Sequence, residues 1–186
     1  MSWKNTGFGV ALAIGLVADQ ASKAWARTAP ALQSGDGWAI SERFLHLVHR
    51  ENTGAAFSVL EGMPGGAMIG LIVFNAIAIA MGLWLLLRTP SHRWIRGTAL
   101  GLFVAGAMGN GIDRLFRGSV TDFIRVHADV EPIHGLLMRF FSRADGPVFN
   151  VADVLLIIGV VVVLLRDRIA ARSPLSPTGG LDAPAG

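Results

Sequence analysis

Residues 67–87 are apolar throughout, and Asn75 is the only amide or charge among them. The run matches the roughly 20 residues that a helix needs to cross the hydrocarbon core of a bilayer. Residues 151–165 are almost continuous Val, Leu and Ile, and adding Val148 to Asn150 brings that stretch to spanning length. Residues 95–113 are apolar but rich in Gly and Ala, a composition that favours close helix packing. Residues 7–26 are apolar as far as Ala18 and then carry Asp19, Gln20 and Lys23. The expected fold class is an all-α membrane protein with four transmembrane helices.

Composition agrees with that class. The chain has 186 residues, of which 16% are charged, against about 25% in an ordinary soluble domain. Mean hydropathy is +0.52. There is no cysteine, which excludes disulfides, thiolate metal sites and a cysteine nucleophile. Net charge is +3, with the basic residues scattered and no Lys/Arg run of the nucleic-acid kind. Membrane lipid headgroups suit this charge better.

The first segment has a rival reading. Lys4, a short apolar core and Ala24-Trp25-Ala26 also fit a secretory signal with its cleavage site. Asp19 and Lys23 count against it. They stand four apart with the acid first, so on a helix they share a face and pair.

Four spans place both termini on one side. Lys4, the loop 88–96 with Arg88, Arg93 and Arg96, and the C-terminal Arg166, Arg168 and Arg172 all fall there. The Lys/Arg bias makes that side cytoplasmic. Polar motifs distant in sequence then meet near the other face: Asp19 and Lys23, the residues from Asn52 to Phe57, Asn110 with Asp113 and Arg114, and Asn150 with Asp153.

Outside the membrane, residues 28–66 form a first outer loop with a small β-element. A strand is expected over 43–49, a turn at Glu51-Asn52-Thr53-Gly54 and a returning strand over 56–60. Gly54 allows close backbone approach or positive φ. The second outer loop runs over 114–147. Within it Ile133, Leu136, Leu137, Phe140 and Phe141 recur at helical spacing, as in a short interfacial helix. The domain reading is one four-helix transmembrane unit over 1–170, followed by a disordered tail over 171–186 rich in Pro, Gly, Ala and Ser.

Carboxylates at membrane depth are costly and mark function. Asp122, in Val120-Thr121-Asp122-Phe123, and Asp153, in Phe149-Asn150-Val151-Ala152-Asp153, suggest acid–base chemistry on a membrane-embedded substrate. The bland alternative is that Asp122 caps a loop and Asp153 caps the helix that follows it. Asp113 has Arg114, Lys23 and Arg125 as candidate partners. Asn52, Asn110 and Asn150 are able to orient a substrate backbone or the carboxylates, or merely cap and turn. His46 and His49, three apart on a strand, point to opposite faces and do not share a metal. No metal and no cofactor are expected.

The blocks Asp19-Gln20-Ala21-Ser22-Lys23, Asn52-Thr53-Gly54-Ala55-Ala56-Phe57, Gly109-Asn110-Gly111-Ile112-Asp113-Arg114, Val120-Thr121-Asp122-Phe123 and Phe149-Asn150-Val151-Ala152-Asp153 together resemble those of the signal peptidase II family of membrane aspartic peptidases. They occur in the family's order. The resemblance implies an aspartic endopeptidase of the bacterial inner membrane that removes the signal peptide of prolipoproteins carrying a diacylglyceryl-cysteine. It implies Asp122 and Asp153 as the catalytic pair. Asp19, Lys23, Asn52, Gly54, Asn110, Asp113, Arg114 and Asn150 are implied as supporting or substrate-binding residues. Globomycin-type cyclic peptides are the implied inhibitors, and a monomer the implied state. Two features depart from the pattern. The stretch 127–147 looks like an insertion, and Gly146-Pro147-Val148 stand where a tryptophan often precedes the Phe-Asn block.

Three other functions compete. A small ion-coupled transporter would use the same carboxylates, but near mid-membrane and with repeat symmetry. A metal-dependent lipid phosphotransferase would hold them on the cytoplasmic side. A binding-only protein gives no reason for several buried acids.

Overall fold

The computed structural model describes residues 2–33, 37–41, 44–54, 66–127 and 145–172. Four long helices account for most of it: α1 (Trp3–Thr28), α3 (Gly66–Arg88), α4 (Trp94–Arg117) and α5 (Val151–Arg172), with a single turn α2 (Pro30–Gln33) after α1. Strands β1 (Trp38–Ser41), β2 (Leu45–Asn52), β3 (Val120–His127) and β4 (Asp145–Phe149) form one antiparallel sheet in the order β1-β2-β3-β4.

Helix α4 is the centre of the bundle, and its small residues set how close its neighbours come. A Cβ on Gly97 would lie 2.3 Å from the Lys4 carbonyl oxygen, and one on Gly106 would lie 2.3 Å from that of Ala152. Backbone therefore meets backbone on both flanks of α4, as the Gly/Ala-rich run anticipates. Phe103, Val104 and Ala107 pack with Ala78 of α3, while Ala99 and Leu100 pack with Val163 of α5. Gly15 faces Ala105, and Asp19 faces Gly109, so α1 runs with α4. Gly82 faces Val104, and Gly159 faces Ala99, so α3 and α5 run against it. The start of α1, the turn between α3 and α4, and the end of α5 consequently share one end of the bundle. The sheet lies at the other. At the first end Lys4 Nζ donates to the carbonyls of Leu86, at 3.0 Å, and Thr89, closing the C-terminus of α3.

Large apolar side chains are exposed on the outside of the bundle, among them Ile14 and Val17 on α1, Phe74, Ile77 and Trp84 on α3, and Ile157 and Leu164 on α5. Among the described helices, α3 alone is long and apolar enough to cross a membrane by length and composition, with mean hydropathy 2.3. The others carry their charges inside the helix rather than beyond it: Asp19, Lys23 and Arg27 in α1, Asp113, Arg114 and Arg117 in α4, and Arg166, Asp167 and Arg168 in α5.

Several expected boundaries move. The strand expected over 43–49 begins at Leu45 and runs on to Asn52, because Glu51 and Asn52 pair with Thr121 and Val120 of β3 rather than turning. Helix α4 continues one turn past Asp113 and stops at Gly118, which takes φ 74° and returns its N–H to the Arg114 carbonyl at 3.2 Å. The segment 114–147, expected as a loop, contributes two strands, β3 and β4, to the sheet. Residues 171 and 172, assigned to the tail, end α5. The returning strand over 56–60, the interfacial helix over 133–141 and the tail beyond residue 172 lie outside the described residues.

The packing at Gly106 gives a direct test. Gly106→Val should prevent assembly of α5 on α4 and lower the melting temperature in detergent sharply. Gly9→Ala, where an added Cβ meets nothing within 4 Å, should leave it unchanged or slightly raised.

Candidate active site

All ten site residues expected from the sequence gather at the sheet end of the bundle. Asp19 and Lys23 come from α1, and Asn52 and Gly54 from the end of β2. Asn110, Asp113 and Arg114 come from α4, Asp122 from β3, and Asn150 and Asp153 from the start of α5.

Their arrangement begins with Lys23, which has no exposed surface. Its Nζ lies 3.0 Å from Asp19 Oδ2, 3.0 Å from Asp113 Oδ2 and 2.9 Å from Asn110 Oδ1. An ammonium has three hydrogens to donate, and here each has an acceptor. The expected Asp19–Lys23 pair is present, and Lys23 is the partner that Asp113 takes. Arg114 and Arg125, the other candidates, are replaced by Arg117 Nε at 3.6 Å and Arg27 Nη1 at 4.0 Å. Asp19 Oδ1 accepts the Ala152 N–H at 2.9 Å, tying α1 to the start of α5. Gly109 makes this possible, because a Cβ there would lie 2.3 Å from Asp19 Oδ2.

Asn110 carries the order of this ion cluster toward Asp153, donating from Nδ2 to Asp153 Oδ1 at 2.9 Å. Asn150 links the two acids. Its Nδ2 donates to Asp122 Oδ1 at 2.7 Å and to Asn110 Oδ1 at 3.1 Å, while its Oδ1 accepts the Asp153 N–H at 3.1 Å. Asp153 Oδ2 in turn accepts the Asn150 N–H at 3.1 Å. That reciprocal pair is a capping box at the N-terminus of α5. The capping reading of Asp153 is therefore true of its geometry. It occupies part of the carboxylate, which still has lone pairs to spare. Asp122 does not cap a loop. It sits in β3, opposite Arg50 of β2.

Asn52 completes the surroundings of Asp122. Gly54, at φ 78°, donates its N–H to Asn52 Oδ1 at 2.9 Å, an Asx turn. With its oxygen so engaged, Asn52 presents Nδ2 to Asp122 Oδ2 at 2.9 Å. Gly54 has both properties expected of it, since an added Cβ would also meet Leu71 Cδ1 at 2.3 Å.

Asp122 is 3% exposed, whereas Asp153 is half-buried and Asn52 exposed. Burial pushes the Asp122 carboxyl up to about 6, the nearby Asp153 charge adds to the rise, and the hydrogen bonds from Asn52 and Asn150 oppose it. A carboxyl poised near neutrality beside a second, more accessible one is a group suited to proton transfer. Among the described residues, no group of three or more His, Asp or Glu side chains is placed to hold a metal ion. The polar side chains lie at one end of the bundle rather than at its middle, which gives the transporter reading no support.

Sequence reasoning passed over two contributors. Asn75, the lone amide of α3, is buried against α4. Its amide oxygen, turned toward the donors, accepts from Arg114 Nη1 at 3.2 Å and from the Gly111 N–H at 2.8 Å. Its isolation in an apolar span was the available signal. Glu51 accepts from Ser119 Oγ at 2.5 Å and Thr121 Oγ1 at 3.1 Å, and contacts His49 Nε2 at 3.0 Å. Arg27 Nη1 donates to the same Thr121 hydroxyl at 3.0 Å. His49 is its local neighbour, but the hydroxyl partners that place Glu51 at the site, Ser119 and Thr121, lie about seventy residues away.

The four-helix bundle with an antiparallel sheet at one end is a fold that known proteins share. A solved structure of a bacterial membrane enzyme, determined by the in meso method, superposes with a TM-score of 0.67, covering 91% of this chain and 93% of its own at 24% identity. A second bacterial membrane enzyme structure gives 0.66 over 86% and 90%, at 26% identity. The family model described as signal peptidase (SPase) II matches residues 11–167. The lipoprotein signal peptidase of Microcystis aeruginosa is 33% identical over 164 residues, which is 87% of this chain and 92% of that protein. That of Methylorubrum extorquens is 34% identical over 176 residues, 92% and 91% of the two chains. The chain belongs to the signal peptidase II family, and is thus a protease by family.

Two measurements test the site's electrostatics. Lys23→Met should destabilise the fold by about 3–5 kcal/mol, because it leaves the buried Asp19 without a cation and takes from Asp113 its nearest one; denaturation in detergent reads the loss. Asp122 binds its proton more tightly folded than unfolded, so its contribution to stability falls as pH rises from about 4 to 6 and stays low above that. Asp122→Asn should flatten this part of the stability–pH curve.

Proposed function

We propose that the protein is an aspartic endopeptidase that removes the signal peptide from diacylglyceryl-modified prolipoproteins, cutting before the lipidated cysteine. Asp122 and Asp153 are its catalytic pair. The observation that carries the reading is the asparagine lattice, which holds both carboxyls in one network with Asp122 pushed up to about 6.

In this mechanism one water sits between the carboxyls. The pair shares a proton, assigned to Asp122, whose burial favours the neutral form. Asp153 lies in the first turn of α5, where the helix dipole favours negative charge. Asp153 takes a proton from the water as its oxygen attacks the scissile carbonyl, while Asp122 donates a hydrogen bond to that carbonyl oxygen. The tetrahedral intermediate collapses when the leaving amine receives the proton gained by Asp153. Asn52, Asn110 and Asn150 hold the carboxyls. Lys23, Asp19 and Asp113 fix α1, α4 and α5 relative to one another, and Arg114 offsets the negative charge of the pair.

The same reading makes α1, α3, α4 and α5 four transmembrane spans of one unit that runs to the end of α5 at Arg172, in the bacterial inner membrane, with the residues after it a tail. The exposed apolar belt supports it, since a soluble monomer rarely exposes so much contiguous apolar surface. Both termini and the turn 89–93 are cytoplasmic, as Arg88, Arg93, Arg96, Arg166 and Arg168 cluster there. The outer loops 28–66 and 114–147 then lie outside, with the exposed Trp38 and Ile40 of β1 suited to the membrane interface. The insertion 127–147 acts as a lid or lipid contact. The enzyme works as a monomer, without metal or other cofactor, and globomycin-type peptides inhibit it.

Purified protein should cleave a diacylglyceryl-modified prolipoprotein, with activity indifferent to EDTA and blocked by globomycin. Asp122→Asn and Asp153→Asn should each lower turnover by at least about a thousandfold while the protein still folds, since an amide at 153 cannot accept the water's proton and one at 122 cannot hold the acidic proton that the pair shares. Wild-type-like cleavage by either variant would refute the pair. A reporter fused at Pro90 should be inactive if it requires export.

A further inference from the structure

The end of the bundle opposite the sheet holds a second polar site. A cavity of about 310 Å³ is lined by His92, Arg93, Arg96 and Arg166, with Trp94 at its edge. Its charge is only partly used. Arg96 pairs with Asp167 through Nη1 and donates from Nε to Thr89 Oγ1 at 3.2 Å. Among the described residues, the Arg93 and Arg166 side chains have no ion-pair partner. Arg93 lies close enough to Arg96 for the two cations to repel. Helix α4 starts at this point, with no acid in its first turn and no side-chain cap from Arg93. The positive end of its dipole adds to the arginines instead of being offset. Two uncompensated guanidiniums beside an uncapped helix start form a receptor for an anion of phosphate type.

Trp94 also borders a larger groove of about 740 Å³ that follows α1. Its walls are almost wholly apolar, with Trp3, Val10 and Ile14 on one side and Leu102 and Leu155 on the other. It reaches from Trp3 to Ala18, about 22 Å along the helix at ~1.5 Å per residue, somewhat more than one leaflet of about 15 Å. A basic cavity that shares Trp94 with an apolar groove of that length matches an amphiphile with an anionic head. We infer that this end of the molecule binds one anionic phospholipid, its phosphate in the His92–Arg93–Arg96–Arg166 cavity and an acyl chain in the groove along α1. The site is separate from the Asp122–Asp153 pair, at the opposite end of the bundle. It rests on the reading that the bundle spans the bilayer with this end toward the cytoplasmic leaflet, where anionic lipids concentrate.

The test titrates phosphatidylglycerol into the purified full-length protein in neutral detergent, counting bound lipid by native mass spectrometry and following thermal unfolding. One long-chain phosphatidylglycerol should bind and raise the melting temperature, while phosphatidylcholine and a dihexanoyl phosphatidylglycerol bind more weakly. Arg93→Gln with Arg166→Gln should weaken binding about twenty-five-fold, and the exposed Arg166→Gln alone about fivefold, from ~1 kcal/mol per basic residue. Peptidase activity retained by these variants shows that they fold. Equal affinity for phosphatidylcholine, or undiminished binding by the variants, would overturn the inference. So would equal stabilisation by inorganic phosphate, which would make this a site for the free ion. The orientation fails separately: an exported reporter at Pro90 refutes the membrane reading without altering the binding result in micelles.

Discussion

The Lys23 ammonium is buried without exposed surface, and the rest of the site is arranged to make that tolerable. Moving a charge from water into a protein interior costs several kcal/mol. Asp19, Asp113 and Asn110 offset the cost together, at 2.9–3.0 Å. The solution fixes more than one side chain. Asp19 stands four residues before Lys23 on α1, while Asp113 and Asn110 both face it from α4. The two helices are therefore locked in register at this depth. Gly109 is required where Asp19 comes closest, and Asp19 reaches on to the Ala152 N–H, so α5 is held by the same cluster.

The acid pair inherits its geometry from this anchor. Asn110 is bonded to Lys23 on one side and to Asp153 on the other, and Asn150 bridges Asn110 and Asp122. Each asparagine has donor and acceptor on one planar group, so a bond to one neighbour dictates which atom faces the next. The chain of bonds runs from the Lys23 ammonium to two carboxyls without placing it directly on either. A lysine in contact with Asp122 would hold it firmly ionised. Amide donors position it while leaving burial free to raise it toward neutrality.

Much of this was legible in the chain. The four helices, the convergence of four polar motifs at one end, the Asp19–Lys23 pair and the special backbone of Gly54 follow from apolar run length, i,i+4 spacing and residue type. Those signals are local. The sheet was seen only in part because β3 and β4 are paired across long separations, and Thr121 and Asp122 interrupt the alternation that would have marked β3. The turn expected over Glu51-Asn52-Thr53-Gly54 forms only in its second half, as the Asx turn from Asn52 to Gly54, for the same reason. Turn-forming residue types lie in a strand there, because β3 offers Glu51 and Asn52 backbone partners that the local sequence does not reveal.

The sequence by itself determined the inventory: how many helices, which acids and amides lie at their ends, and which glycines admit close approach. Periodicity and composition act within a few turns of chain, so they suffice for that. The tertiary structure decided who holds whom. Lys23 takes Asp113 ahead of Arg114 or Arg125, Asn75 finds Gly111 and Arg114, Glu51 collects Ser119 and Thr121, and Asp153 caps a helix while sharing a lattice with Asp122. Each of those choices depends on distances of about 3 Å between segments tens of residues apart, and on the burial that makes an unpartnered alternative costly.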